Sequence, residues 1–327
     1  MLVRRREFIA LGSAAALWPG AARTQQQAMA VIGFLGTSSE DQTRAQVSAF
    51  RRGLSEMNFA EDKNIAIEFR WAGGQYERLP AMAAELVARP VAIIAAQAPP
   101  AALSAKVATT TIPIVFVVGF DPAAAGLVAS LNRPGGNVTG VTLMSVLLGQ
   151  KRLEMLRELG PKASVIAMLA NPVSPDALPE IAPVQAAANS LGLQLSMFNA
   201  STPSEIDAAF NAIAEKRPHS LLVGTDSFLL SRREQIVAWA ARLRIPAIYP
   251  FRDFAEAGGL ISYGTNIPNS YRQAGIYCGL ILKGDRPNEL PVIQPTTFEL
   301  VINLKTAQML SVDIPATLHA RSDEVIE

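Results

Sequence analysis

The sequence predicts an α/β protein of two doubly wound lobes, each built on a parallel sheet and joined to the other by a hinge. Three observations lead there. Short β-branched runs alternate with longer amphipathic ones, that alternation runs once through each half of the chain, and turn-forming residues gather at three points between the halves. A length of 327 residues suits two such units, since single domains usually hold about 100–200 residues.

In the first half, residues 30–36, 64–71, 91–96, 113–118 and 137–143 are of strand length and bounded by Gly, Pro, Asn or charged residues. Residues 41–57, 76–88, 101–108 and 121–131 carry apolar side chains at three- and four-residue spacing, which places them on one face of a helix. The second half repeats the scheme, with strands over 164–170, 193–199, 219–224, 245–249 and 260–263. Helices are expected over 184–191, 204–216, 229–243 and 269–282, with Ser204 and Asn269 as N-caps and Gly192 and Gly284 as terminators. Strand, helix, strand in that order implies parallel pairing through right-handed crossovers. No repeat occurs at solenoid periods, so the duplication is one of architecture.

The cluster Arg133-Pro134-Gly135-Gly136-Asn137 marks the boundary region, and Gly264-Thr265-Asn266-Ile267-Pro268 and residues 287–298 are further loose stretches. A hinged clamshell requires crossings of this kind, because a few loop residues absorb the motion. The division that follows is an export signal and polar linker over 1–27, a first lobe of 28–140 plus about 266–295, and a second lobe of 141–265 plus about 296–327.

The opening residues run from a basic cluster, Arg4-Arg5-Arg6, through a mildly apolar stretch to Trp18, then to Pro19-Gly20-Ala21-Ala22-Arg23-Thr24. Basic, apolar, small is the layout of a secretory signal, and the apolar part is too short to cross about 30 Å of hydrocarbon. Arg5-Arg6-x-Phe8-Ile9 resembles the twin-arginine export motif. Cleavage after Ala22 and after Thr24 both fit, and no Cys follows the signal to take a lipid. Beyond residue 28 no apolar run reaches about 18 residues. The expected product is a freely soluble periplasmic monomer without a membrane span.

The formal charge is +1, and setting aside the first 24 residues, with four Arg and one Glu, leaves −2. A near-neutral chain with only 6% aromatic residues has neither the basic field nor the stacking surface of a nucleic-acid binder. Two histidines, His219 and His319, cannot make a histidine-rich metal site, and the single Cys278 cannot close an internal disulfide. No Gly-x-Ser-x-Gly elbow and no phosphate-cradling loop occurs, and Gly33-Phe34-Leu35-Gly36 lacks the acidic partner of a dinucleotide site. Neither metal nor cofactor is expected.

Small and polar residues do gather where open α/β sheets bind ligands, at the carboxyl ends of the strands. In the first lobe these are Thr37 and Ser38, Gln97 and Ala98, and Phe120 and Asp121. The second lobe offers Asn171, Asp226, Tyr249 and Phe251. Singly, several have plainer roles: Ser38 as a helix cap, Asp121-Pro122 as cap and first-turn proline, Asn171-Pro172 as a turn. Together they suit a small polar or zwitterionic ligand held between lobes.

The wording of the chain also resembles a known family. Asn64-Ile65-Ala66-Ile67-Glu68-Phe69-Arg70-Trp71-Ala72, Arg133-Pro134-Gly135-Gly136-Asn137-Val138-Thr139-Gly140 and Glu256-Ala257-Gly258-Gly259-Leu260-Ile261-Ser262-Tyr263-Gly264 are similar to segments of ABC-transporter substrate-binding proteins of the tryptophan/tyrosine-binding-lipoprotein kind. So are Phe298-Glu299-Leu300-Val301-Ile302-Asn303 and Arg321-Ser322-Asp323-Glu324-Val325-Ile326, so the likeness spans residues 30–327. It implies a type I periplasmic-binding fold, no catalysis, and delivery of an amino acid or related small carboxylate to ABC permease subunits in the inner membrane. By position, Thr37, Ser38 and the loop at Gln97 would hold a carboxylate, Asp226 would face an ammonium, and Tyr249 and Phe251 would flank an apolar side chain. One departure bears on the cargo. Relatives place a Gly-Thr-Pro-like sequence after the third strand, where this chain has Ala96-Gln97-Ala98-Pro99-Pro100. A sensing subunit of a signalling receptor, or a periplasmic hydrolase or isomerase with Asp121 or Asp226 as base, are the alternatives.

Overall fold

Strand β1 (Ala30–Gly36) is buried along most of its length, as a strand must be when helices cover both faces of a parallel sheet. The computed structural model describes residues 29–327, so the export-signal and twin-arginine readings lie outside the described residues. From β1 the chain winds through α1 (Arg44–Glu56), β2 (Ile65–Trp71), α2 (Leu79–Val87), β3 (Ile93–Gln97), α3 (Ala98–Ala108), β4 (Ile114–Val118) and β5 (Val138–Thr142). All five strands pair in parallel, in the order β2-β1-β3-β4-β5.

The second unit runs α4 (Gly149–Leu159), β6 (Val165–Ala170), α5 (Ala177–Ser190), β7 (Gln194–Asn199), α6 (Pro203–Lys216) and β8 (Ser220–Val223). It continues through α7 (Ser227–Ser231), α8 (Arg233–Arg242), β9 (Ala247–Tyr249), α9 (Arg252–Glu256) and β10 (Ile261–Gly264). The order β7-β6-β8-β9-β10 repeats that of the first sheet strand for strand. After α10 (Ile267–Leu282) the chain adds β11 (Glu299–Asn303), α11 (Leu304–Leu310), α12 (Ala316–Ala320) and β12 (Glu324–Ile326). β11 lies antiparallel to β10, an edge addition without a counterpart in the first sheet.

Helix α10 packs on the first unit, against α1, at backbone-to-backbone distance. A Cβ on Gly275 would lie 2.1 Å from the Phe50 carbonyl oxygen, and one on Gly53 would lie 1.9 Å from that of Arg272. Glycine is required at such an approach because any side chain would force the helices apart. A bidentate pair from Arg272 to Glu56, 2.6 Å at Nε, closes the exposed side.

The chain passes between the sheets after β5, again between β10 and α10, and once more before β11. The crossings brace one another: the Thr265 hydroxyl donates to the Leu143 carbonyl at 2.7 Å, and Asn266 Nδ2 donates to Glu299 Oε1 at 2.7 Å. Residues 133–137 form the turn that feeds β5, with Gly135 and Gly136 at φ of 71° and 62°, so the first crossing comes after them, beyond Thr142.

Several expected helices shift for local reasons. Residues 121–131 are successive turns: the Asp121 carboxylate accepts the Ala123 and Ala124 N–H groups at 2.9 and 3.2 Å, and the apolar spacing serves to bury Leu127 and Val128. Residues 229–243 divide into α7 and α8 at Arg232, and α5 begins at Ala177 with Pro183 inside it. Helix α3 starts at Ala98, where Pro99 and Pro100 occupy the first turn, the one place their missing N–H groups are harmless. The caps are Thr202, accepting Glu205 N–H at 3.2 Å, and Asn266, accepting Asn269 N–H at 2.8 Å, in place of Ser204 and Asn269. Gly192 and Gly284 do follow their helices with φ of 67° and 111°.

The α1–α10 contact leaves no room for a methyl group. Gly275→Ala is expected to cost about 1–3 kcal/mol, seen as a lower urea midpoint at unchanged m-value; an unmoved midpoint would show that the two helices separate freely.

Candidate functional site

The repeated strand order decides where a site can form. In each sheet the winding reverses between the first and third strands, β1 and β3 in one, β6 and β8 in the other, and the loops leaving such a pair diverge to open a crevice. The two crevices face each other across the crossings. Between them lies a cleft of about 60 Å³.

From the first unit come Ser38 beyond β1, Gln97 and Ala98 where β3 turns into α3, Gln42 and Gln46 before and within α1, and Tyr271 of α10. The second unit supplies Asp176 before α5, Thr225 and Asp226 beyond β8, Leu230, and Phe251 beyond β9. Ala98 adopts φ of 67°, a left-handed conformation that costs a non-glycine residue about 1–2 kcal/mol. That bend turns the chain at once from strand to helix and brings the first turn of α3 to the cleft wall.

Four buried side-chain oxygens in this region have no hydrogen-bond partner within the protein: Thr37 Oγ1, Gln46 Oε1, Gln97 Oε1 and Asp176 Oδ1. Each such group costs about 1–3 kcal/mol if nothing meets it. Three of them belong to residues that line the cleft, Gln46, Gln97 and Asp176, where a ligand or water supplies the missing bonds.

Asp226 is held from several sides. It caps α7 by accepting the Leu229 N–H at 2.9 Å, and the same oxygen accepts Asn171 Nδ2 at 3.1 Å, while Oδ2 accepts the Tyr76 hydroxyl at 2.9 Å. Burial raises the Asp226 carboxyl and these bonds oppose the rise. Asp176 has no such support. It is 2% exposed, and burial pushes its carboxyl well above the usual range, helped by the charges of Asp226 and Glu180. Space for it exists because residue 119 is glycine; a Cβ there would meet the Asp176 carboxylate at 3.1 Å.

Beneath the cleft floor Arg152 and Glu180 form a fully buried ion pair. Glu180 Oε2 accepts the Thr225 N–H at 2.6 Å and Oε1 accepts the Thr225 hydroxyl at 3.1 Å. Arg152 also donates to the carbonyls of Ser145 at 3.0 Å and Tyr263 at 3.3 Å. Burial raises Glu180, with Arg152 opposing that rise.

Among the positions expected from sequence, Ser38, Gln97, Ala98, Asp226 and Phe251 line the cleft. Thr37 is buried beside Ser38, and Asn171 acts through Asp226. Three stand elsewhere. Phe120 is packed in the core of the first unit, Asp121 is engaged in its own turn, and Tyr249 is buried and stacks on Phe254 at 4.8 Å. Gly259 leaves room for that Tyr249 ring, since a Cβ there would touch it at 2.6 Å. Sequence reasoning passed over Asp176, Tyr76, Gln42, Gln46 and Tyr271. The first was within reach, because the loop after β6 that holds Asn171 also carries Asp176. Among the described residues, no group of three His, Cys, Asp or Glu is placed to hold a metal ion, and no helix is long and apolar enough to cross a membrane.

Two α/β units of matching strand order, crossed three times by the chain and facing each other over a polar cleft, define a periplasmic-binding fold of type I. The chain belongs to the ABC transporter substrate binding protein family, whose model matches residues 29–326. It is a family of binding proteins, not of enzymes. The chain is 28% identical over 278 residues to a tyrosine-binding protein of Clostridioides difficile (strain R20291), covering 84% of this chain and 80% of that one. Among solved structures it is similar to a conserved domain protein of Vibrio cholerae, with a TM-score of 0.84, 27% identity, and 91% and 99% of the two chains covered. It is also similar to the ABC domain of Streptococcus pneumonia solved in complex with L-Trp, with a TM-score of 0.82, 26% identity and the same coverage.

Two stability effects follow. Glu180→Ala leaves the Arg152 charge buried alone and is expected to cost about 3–5 kcal/mol in urea denaturation; a loss below about 1 kcal/mol would show that the pair is dispensable. A carboxyl raised on folding stabilises below the ordinary range near pH 4 and loses that contribution as pH climbs through its folded value. Asp176→Asn should therefore stabilise the ligand-free protein by about 1–3 kcal/mol near pH 7.5, with the gain vanishing toward pH 4. Equal melting temperatures at both pH values would contradict the assignment.

Proposed function

We propose that this chain is the periplasmic receptor of an ABC importer and captures an amino acid, as the zwitterion, between its lobes. The observation that carries the reading is the charge of the cleft: its lining holds two carboxylates, Asp176 and Asp226, and no Lys, Arg or His. A ligand with a protonated amine supplies the cation beside which Asp176, whose carboxyl burial pushes well above the usual range, gives up its proton; a ligand without one leaves that carboxyl protonated. A protonated amine placed at Asp176 Oδ1 gains the charge-assisted bond that this oxygen lacks.

The carboxylate end of the ligand fits the opposite wall. Ser38 and Gln97 supply polar side chains beside the start of α3, while Pro99 and Pro100 carry no N–H. Side-chain donors consequently do more of the work here. Leu143, Leu230, Phe251 and Tyr271 give the remaining space an apolar character suited to the ligand's side chain. Two relatives support an aromatic amino acid as the first candidate, since one is named tyrosine-binding and the other was solved with L-Trp. The basic-apolar-small opening of the sequence supports export, and ABC permease subunits are the natural recipients.

Calorimetry against the twenty L-amino acids, with tryptamine and indole-3-propionate as halves of one zwitterion, tests the reading. Micromolar binding corresponds to about −8 kcal/mol. The amine-free analogue should fail, and Asp176→Asn should weaken binding more than tenfold. Because the ammonium favours the ionised Asp176, binding should release up to about one proton and tighten as pH rises, visible as an enthalpy that depends on the buffer. Binding of the amine-free analogue as tightly as the amino acid, or no binding by any of the panel, would overturn the proposal.

A further inference from the structure

Away from the crossings, the side-chain hydrogen bonds that join the two units among the described residues come from two residues. Gln42 Nε2 donates to the Ser231 carbonyl at 3.3 Å, a marginal contact. Tyr76 does much more. It sits in the short turn between β2 and α2, in the first unit, and its hydroxyl reaches the start of α7 in the second.

There the phenol oxygen makes a full set of bonds. Its proton goes to Asp226 Oδ2 at 2.9 Å, and its lone pairs take the Ser227 hydroxyl at 2.7 Å and the Phe228 N–H at 3.0 Å. A hydroxyl has one donor and two acceptor positions, so all three are used. Burial and the Asp226 charge push the Tyr76 phenol upward, which keeps its proton in place across the neutral range. When the lobes part, Asp226 loses one of its donors and the Phe228 N–H loses its acceptor, so opening exposes both to water or leaves them unmet.

We infer that Tyr76 is the latch of the cleft, a positioning residue that acts through Asp226 and the first turn of α7 to set how long the lobes stay shut on a ligand. The inference rests on the reading of the cleft as an amino-acid site. Tyr76 does not itself line the cavity, so its removal should leave encounter intact and speed release, the usual division for closed complexes.

The test compares wild type, Tyr76→Phe, which keeps the ring, and Ser227→Ala, which removes one partner from the far side. Stopped-flow measurements with L-tryptophan should show dissociation at least tenfold faster for Tyr76→Phe, a smaller increase for Ser227→Ala, and association rates within about twofold of wild type. Unchanged dissociation in Tyr76→Phe overturns the inference. Hydrogen exchange at the Phe228 amide gives a readout that needs no ligand, and protection should fall in Tyr76→Phe whether or not L-tryptophan is present. If wild type binds no amino acid, the ligand reading fails and the amide alone decides the latch: lost protection in Tyr76→Phe supports it, and equal protection in the two proteins overturns it.

Discussion

A guanidinium with no exposed surface holds the second lobe's half of the cleft in place. Arg152 reaches the Ser145 carbonyl where the chain has just crossed from the first sheet, and the Tyr263 carbonyl shortly before it crosses back. Its partner Glu180 fixes the backbone and hydroxyl of Thr225, which lines the cavity. Crossing segments and cleft floor are therefore tied to one charge pair. Removing two charges from water is expensive, and the Ser145 and Tyr263 carbonyls and Thr225 meet much of the pair's remaining bonding capacity, while Arg152 Nε is left without a partner in the protein.

That pair leaves the cleft itself electrically lopsided. With Arg152 committed below the floor, the acids that look into the cavity, Asp176 and Asp226, have no cation beside them. Asp226 is nonetheless well served by an amide, a backbone N–H and a phenol. Asp176 keeps an open acceptor. The cleft thus carries an unmet acceptor at a local cost in stability, a trade between stability and function usual at binding sites.

Much of this was legible in the chain. Ten parallel strands are signalled by β-branched runs, and the rule that ligands sit at strand carboxyl ends picks out Ser38, Gln97 and Asp226. The same rule cannot say which way a side chain turns once the strand has ended, which is why Tyr249 fell into the core while Phe251 reached the cleft. Tyr76 was not legible at all. Its partner Asp226 lies 150 residues away, and no periodicity records a bond of that range. Residues 121–131 carry helical spacing, yet Pro122, Gly126 and the Asp121 side chain offer the backbone a closed set of turns instead.

The path of the chain also imposes an order of assembly. Helix α1 ends at Glu56, but the helix that covers its glycine-lined face does not begin until Ile267. Everything between, including the whole parallel part of the second sheet, emerges first during synthesis. The second lobe's five-stranded wind can collapse on local contacts while the first waits with one helix face bare. A nascent chain consequently spends the later part of its elongation with the α1 face that meets α10 uncovered, open to non-native contacts until the last segments emerge.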